Sequence, residues 1–277
     1  MNVIEIKPNG FCDGVVRAIR ILDVALNDAN IQKPIYMFGS LVHNKHVVDM
    51  YKDRIIMIND NFDEEIKKIN QGTVIFTAHG IKPSIINYAK EKGLNIIDTT
   101  CPKVAKIQKL IKQKLSDGYV VYVIGNKNHP EVLNYLGIGD RVKIYDGNLP
   151  KENKSFIVNQ TTLIYDDVLK TYEQIKKSYD NVEIAMEVCN ATKVRQQALS
   201  KYASKCDAII VMGDKQSNNC TSLYNVACTY LPSYKIESKD ELDKIPLSMY
   251  NTIGVTAGAS TPRILIDEVI EELKKRP

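Results

Sequence analysis

The sequence predicts an α/β protein: a trefoil of three similar lobes, each with a mainly parallel sheet, arranged around one centre. Three observations carry this. In a chain of 277 residues, Cys12, Cys101 and Cys189 share one local context and stand 89 and 88 residues apart. Glycine loops that follow apolar runs, at Gly39, Gly125 and Gly213, repeat at 86 and 88 residues. Strand-like and helix-like stretches alternate throughout, the pattern of parallel sheets with helices on both faces. Near-equal spacing over the whole length marks an internal repeat.

Each lobe reads in the same order. A short strand-like run ("VIEIK", "LNIID", "VEIAME") leads into a cysteine that opens a helix: "NGFCDGVVRAIRIL", "DTTCPKVAKIQKLI" and "MEVCNATKVRQQAL". These stretches have helical apolar spacing and basic residues. Pro102 suits a first helical position, where its missing N–H is not needed. A strand that ends in a glycine loop follows: "PIYMFGSLVHN", "VVYVIGNKNHPEV", "AIIVMGDKQSNN". A second strand then ends in a polar or small-residue loop: "TVIFTAHGIKP", "SFIVNQTTL", "TIGVTAGASTP". A helix such as "PSIINYAKEKG" or "TPRILIDEVIEELKK" closes the unit. The expected lobes are 13–100, 101–186, and 187–277 together with 1–12. No Pro/Gly/Ser-rich linker separates them, so they are expected to pack directly as one unit with no appended domain.

Composition narrows the function. An apolar share of 44% and a charged share of 25% are those of an ordinary globular chain. A net charge of +4, with no basic helix interleaved with aromatics, argues against nucleic acid as a partner. The start "MNVIEIKPNG" lacks the apolar region of a signal peptide, and no run is long enough for a membrane span. A cytoplasmic protein is therefore expected. Its six cysteines then read as thiols, metal ligands or catalytic groups rather than as a disulfide framework.

In open α/β sheets, ligands bind beyond the carboxyl ends of the strands. The three cysteines and six loops all follow strands, so three lobes facing one centre bring them together. A thiolate there is favoured by the helix dipole and by Arg17, Lys106 and Arg195, five or six residues further on. Two readings of the thiols stay open on spacing alone. One is zinc with a fourth ligand. The other is an iron–sulfur cluster with one iron lacking a protein ligand. Closely spaced cysteine pairs and ferredoxin-type runs are both absent, so tertiary structure must assemble the site. Cys206 and Cys228 read as core packing, and Cys220 as structural.

Of four histidines, three sit in strand-end loops: His43, His79 and His129. His46 reads as solvated or packing. "KQSNN" (Lys215 to Asn219) and "AGAST" (Ala257 to Thr261) offer hydroxyls, amides and backbone N–H groups suited to phosphate. Neither a P-loop nor a dinucleotide fingerprint is present. Glu131, beside His129 at a helix start, is the candidate acid. Thr161 and Thr162 are candidates to orient it or a water.

Together "GFCDGVVRAI", "LVHN", "TAHG", "DTTCP", "HPEV", "QTTL", the Cys-x-Ala-Thr at Cys189, "QSNN" and "GVTAGAST" resemble the 4-hydroxy-3-methylbut-2-enyl diphosphate reductase family. That LytB-type family provides the last enzyme of the methylerythritol phosphate route to isoprenoids. The ordered set spans nearly the whole chain. The resemblance implies a 4Fe–4S cluster held by Cys12, Cys101 and Cys189, with the fourth iron open to the substrate's hydroxyl. It implies a diphosphate held by His43, His79, Ser217, Asn219 and Ser260. His129, Glu131 and Thr161 would line the hydroxyl end, with Glu131 delivering protons. Two one-electron steps would then remove the hydroxyl as water through an allyl species, giving isopentenyl and dimethylallyl diphosphate. Where the family often reads Ser-Ser-Asn, this chain reads Ser217-Asn218-Asn219; the Asn218 amide keeps a donor and is counted with the phosphate loop.

No flavin or nicotinamide fingerprint is present, so a ferredoxin or flavodoxin is the expected electron donor, and the three-lobe plan is compatible with a monomer. Two alternatives stand beside the reductase. One is a zinc-dependent hydrolase of a phosphorylated small molecule built on the same cysteines. The other is a non-catalytic cluster-binding sensor, which would have no need of the His129–Glu131 pair.

Overall fold

The computed structural model describes residues 1–150 and 154–276; residues 151–153 of the second expected lobe and Pro277 of the third lie outside them. The chain opens with β1 (Asn2–Glu5) and α1 (Asp13–Leu26), then β2 (Ile35–Phe38) and α2 (Lys45–Asp49). It continues through β3 (Ile56–Ile58), α3 (Phe62–Lys68), β4 (Thr73–Phe76), α4 (Pro83–Glu91) and β5 (Asn95–Asp98). The middle third holds α5 (Pro102–Ser116), β6 (Val120–Ile124), α6 (Pro130–Leu136), β7 (Val142–Ile144), β8 (Ser155–Asn159), α7 (Tyr165–Ser178) and β9 (Val182–Ala185). The last third holds α8 (Asn190–Ala203), β10 (Ala208–Met212), α9 (Asn218–Cys228), β11 (Ser233–Ile236), two 3-10 turns, β12 (Thr252–Ala257) and α10 (Arg263–Lys275).

The strands form three four-stranded sheets, β3-β2-β4-β5, β7-β6-β8-β9 and β11-β10-β12-β1, and every pairing is parallel. All three share one strand order. The third is completed by β1, which pairs Asn2 to Glu5 with Thr252 to Val255. The chain's start is thereby sewn to its end, and Cys12 follows the last strand of the third sheet just as Cys101 and Cys189 follow β5 and β9.

The sheets are covered on both faces, so their central strands are apolar on both sides. In β10 all five residues are buried. Ile210 and Met212 face one cluster with α10's Ile266 and Val269; Ile209 and Val211 face another with Leu199 and Leu223. β4 divides in the same way, with Ile75 on one side and Val74 and Phe76 on the other.

Register sets the site. The last residues of the two central strands are paired in each sheet: Phe38 with Phe76, Ile124 with Asn159, and Met212 with Ala257. Strand order reverses between these strands, so each sheet has its crevice there. The loops leaving both central strands begin at one height and open to one side.

The alternation read from the sequence is present, and the edge strands β3, β7 and β11 are additional to it. They are three or four residues long. Each pairs along one side only; β3 is a three-residue apolar stretch (IMI), while β7 (VKI) and β11 (SYKI) are each broken by a lysine. The direct lobe contact expected without linkers is seen in hydrogen bonds such as Asn134 Nδ2 to His79 O and Ser222 Oγ to Thr162 O. Gly80 permits the first of these. Its φ is +80°, and a Cβ there would stand 2.2 Å from Asn134 Nδ2.

Candidate functional site

Cys12, Cys101 and Cys189 are the N-cap residues of α1, α5 and α8, and none uses its sulfur to cap its helix. Their backbone N–H groups repeat one contact. Each donates to a carbonyl in the loop after its sheet's second central strand: Cys12 to Ala259 (3.1 Å), Cys101 to Ala78 (3.0 Å) and Cys189 to Thr161 (2.9 Å). The three thiols are half-buried and free of disulfides. Gly14 shows how closely two of them approach. A Cβ there would stand 2.7 Å from Cys101 Sγ and 3.8 Å from Cys12 Sγ, so the two sulfurs are no further apart than the sum of those distances.

Burial pushes the Cys101 thiol up, and the fields of Cys12 and Cys189 add to this; the nearby N–H groups of Lys103 and Val104 pull it back in part. At Cys101 burial therefore outweighs the help expected from the helix start. Lys106 turns instead to Glu187 at 2.7 Å, and Arg17 to the carbonyl of Thr100 at 3.0 Å. A metal bound there would supply positive charge.

The cysteines share one cavity with His43, His79, His129, Glu131, Thr161, Ser217, Asn218, Asn219 and Ser260. The histidine rings cluster, with centroids 4.5 Å apart for His43 and His79, 5.6 Å for His79 and His129, and 5.8 Å for His43 and His129. Their nearest nitrogens lie within 4.8 Å of one another. Burial holds all three below the usual imidazole range, with repulsion from neighbouring histidines adding to it at His79 and His129: His129 at about 4, His79 well down, and His43 lowered against the opposing field of Asp214. His129 Nδ1 accepts the Glu131 N–H at 3.2 Å, so its proton sits on Nε2. Among the described residues His43 Nε2 is buried without a partner. Neutral imidazoles lining one cavity offer N–H donors that suit an anion.

Glu131 lies 2% exposed. Its Oε1 accepts from Thr161 N–H at 2.7 Å and from the Tyr135 hydroxyl at 3.0 Å, and its Oε2 accepts from Thr161 Oγ1 at 2.8 Å. Burial raises its pKa; these three donors hold the rise back. A carboxyl set this way carries a proton closer to neutral pH than a surface glutamate does. Thr162 plays no part in this: its hydroxyl receives Gln160 and Asn218.

The third lobe completes the rim. Ser217 caps α9 by accepting from Cys220 N–H at 3.3 Å. Asn219 bridges Thr192 Oγ1 (2.8 Å) and the N–H of Ala259 (3.0 Å), and Ser260 Oγ donates to His43 O at 2.8 Å. Asn218 Nδ2 donates to Thr162 O and Oγ1, at 3.2 and 3.0 Å, and so ties lobe to lobe.

A family model described as LytB protein matches residues 3–274. This chain belongs to the LytB family. Among its relatives, a 4-hydroxy-3-methylbut-2-enyl diphosphate reductase of Bacillus pumilus is 42% identical, the match covering 99% of this chain and 91% of the relative. One of Lysinibacillus sphaericus is 41% identical over 99% of this chain and 88% of its own. The solved E-1-hydroxy-2-methyl-but-2-enyl-4-diphosphate reductase of Plasmodium falciparum superposes with a TM-score of 0.90 at 32% identity, covering 100% of this chain and 88% of that one. A solved (E)-4-hydroxy-3-methyl-but-2-enyl diphosphate reductase gives 0.68 at 30% identity, with both chains fully covered.

The LytB family is iron–sulfur dependent, and the residues of this LytB chain fit such a group. Three unpaired thiols share one cavity, and Gly14 keeps the space between two of them clear. Sequence reasoning missed Tyr135, although a residue four positions after Glu131 shares its helix face. It placed Cys228 in the core, yet Cys228 is exposed, at the end of α9 and turned away from buried Ala227. Cys206 and Cys220 are buried as expected, and His46 is exposed.

Proposed function

We propose that this chain reduces 4-hydroxy-3-methylbut-2-enyl diphosphate to isopentenyl and dimethylallyl diphosphate, with a 4Fe–4S cluster held by Cys12, Cys101 and Cys189. The carrying observation is that three uncapped cysteine helix starts, three neutral histidines and one buried carboxyl share a single cavity. When bound, the cluster supplies electrons one at a time and an iron position with no protein ligand. The overall change consumes two electrons and two protons: one proton leaves with the hydroxyl as water, and the other ends on an allylic carbon. His43 and His79, with Ser217, Asn218, Asn219 and Ser260, hold the diphosphate by N–H and O–H donors. His129 and Thr161 orient the hydroxyl end. Glu131, whose hold on a proton burial strengthens, delivers protons there, and the packed lobes exclude bulk water.

The lobes are 13–100, 101–186 and 187–277 with 1–12, and they act as one unit. A ferredoxin or flavodoxin supplies the electrons. Among the described residues no helix is long and apolar enough to cross a membrane.

The test is iron and acid-labile sulfide in anaerobically purified protein, followed by reduction of the diphosphate. About four of each per chain is expected. Zinc without sulfide would overturn the redox reading and favour the hydrolase. Glu131→Gln is expected to keep its iron and lose about 10²–10⁴-fold in turnover; unchanged turnover would remove Glu131 as the acid.

A further inference from the structure

Each cysteine helix carries a cation that reaches the segment just before another cysteine. Arg17 Nη1 donates to Thr100 O, next to Cys101; Lys106 pairs with Glu187, two before Cys189; Arg195 Nη2 donates to Gly10 O at 2.7 Å, two before Cys12. The three ties are related by the repeat, yet their surroundings differ. Arg17 and Lys106 are exposed, and Lys106 has a carboxylate partner. Arg195 is 4% exposed. Its hydrogen-bond partners are two neutral carbonyls, Gly10 O and Ala191 O, both at 2.7 Å. Among the described residues its Nε has no partner, and it forms no ion pair with a carboxylate.

Removing a charge from water without a counter-charge costs several kcal/mol. Two neutral carbonyls do not neutralise a guanidinium. Burial pushes the Arg195 guanidinium's pKa down, and the groups whose negative charge would offset this are, in order, Cys12, Cys189 and the exposed Asp13. Its two carbonyl partners lie two residues from Cys12 and two from Cys189, so the guanidinium straddles both turns.

We propose that Arg195 is a positioning residue for the iron–sulfur cluster: the buried counter-ion of the Cys12 and Cys189 thiolates, whose free Nε–H serves a sulfur acceptor and favours the reduced cluster. This rests on the cluster reading above. A 4Fe–4S core of charge 2+ with three thiolates carries one net negative charge, and one added electron makes two. A buried cation stabilises the second state more than the first, and hydrogen bonds to sulfur act in the same direction. Arg17 and Lys106, screened by water, have little such effect.

The experiment uses the full chain purified anaerobically, with iron, sulfide and the cluster's midpoint potential measured without substrate. Arg195→Gln is expected to shift the potential to more negative values. Arg195→Lys, which keeps the charge, is expected to shift it less. A fully loaded Arg195→Gln protein at the wild-type potential overturns the proposal, as does an equal shift in both variants. A second measurement needs no variant. Electron–nuclear double resonance on reduced wild-type protein carrying ¹⁵N-arginine is expected to show coupling to an arginine nitrogen. A four-iron protein without that coupling overturns the proposal alone, whereas an iron-free wild type overturns the cluster reading with it.

Discussion

Two helices in each lobe start at the central cavity, and they start differently. The helix entering the sheet begins at Cys12, Cys101 or Cys189, with no side-chain cap. The helix leaving the first central strand begins at Asn44, His129 or Ser217, and there the side chain accepts a backbone N–H. Missing caps cost about 1 kcal/mol each, yet all three lobes omit them at the cysteines. A capping side chain is fixed by its own helix and presents what remains to the cavity, as His129 presents Nε2–H. An uncapped sulfur is free to bind something that is not protein. The contrast separates the side chains offered to a metal from those offered to a substrate.

The largest effect that would break this contrast lies at the uncapped starts. Gly14→Ala puts a methyl 2.7 Å from Cys101 Sγ and forces that sulfur to shift. Iron retention is expected to weaken about 10–100-fold, as when groups supporting metal ligands are altered, and chelator-challenge kinetics read it directly. A variant that keeps its iron as firmly as wild type would show that the sulfurs need no such clearance.

The capped starts are expected to answer to pH. His129 is held at about 4, below its ordinary 6.5. The unfolded chain therefore binds a proton that the folded chain refuses. The stabilisation is present above pH 6.5 and lost as pH falls towards 4, with a ceiling of roughly 3 kcal/mol. His129→Asn keeps an acceptor for the Glu131 N–H and lacks the titration, so its melting temperature should fall less steeply over that range. A slope identical to wild type would mean that His129 is not held neutral.

The smallest effect is expected at Asn44, whose Oδ1 accepts from Val47 N–H at 3.2 Å. Asn44→Ala should cost about 1 kcal/mol of stability and leave the iron in place. Loss of iron in that variant would erase the distinction between the two kinds of start.

Most of the fold was legible because it repeats. The 88- and 89-residue intervals mark where three helices start, and apolar runs such as "AIIVM" mark strands covered on both faces. The short edge strands were not legible, since stretches like "VKI" carry no apolar run and the apolar "IMI" of β3 is only three residues long. Within the site, residue types at strand ends identified the cysteines, the histidines and Glu131 as candidates. The link between Glu131 and Thr161, 30 residues apart, depends on β6 and β8 being neighbours in register. Tyr135 was hidden among the apolar residues of its helix.

By itself the sequence determined the order of elements, the threefold repeat and the chemistry available at each strand end, because periodicity and residue type are local properties. Only the tertiary structure decided which groups lose their water. Arg17, Lys106 and Arg195 are equivalent along the repeat, yet only Arg195 is buried. Four histidines are equivalent in composition, yet three of them crowd together and stay neutral. Desolvation and the fields of neighbours set those charges, and both depend on which lobes pack against which.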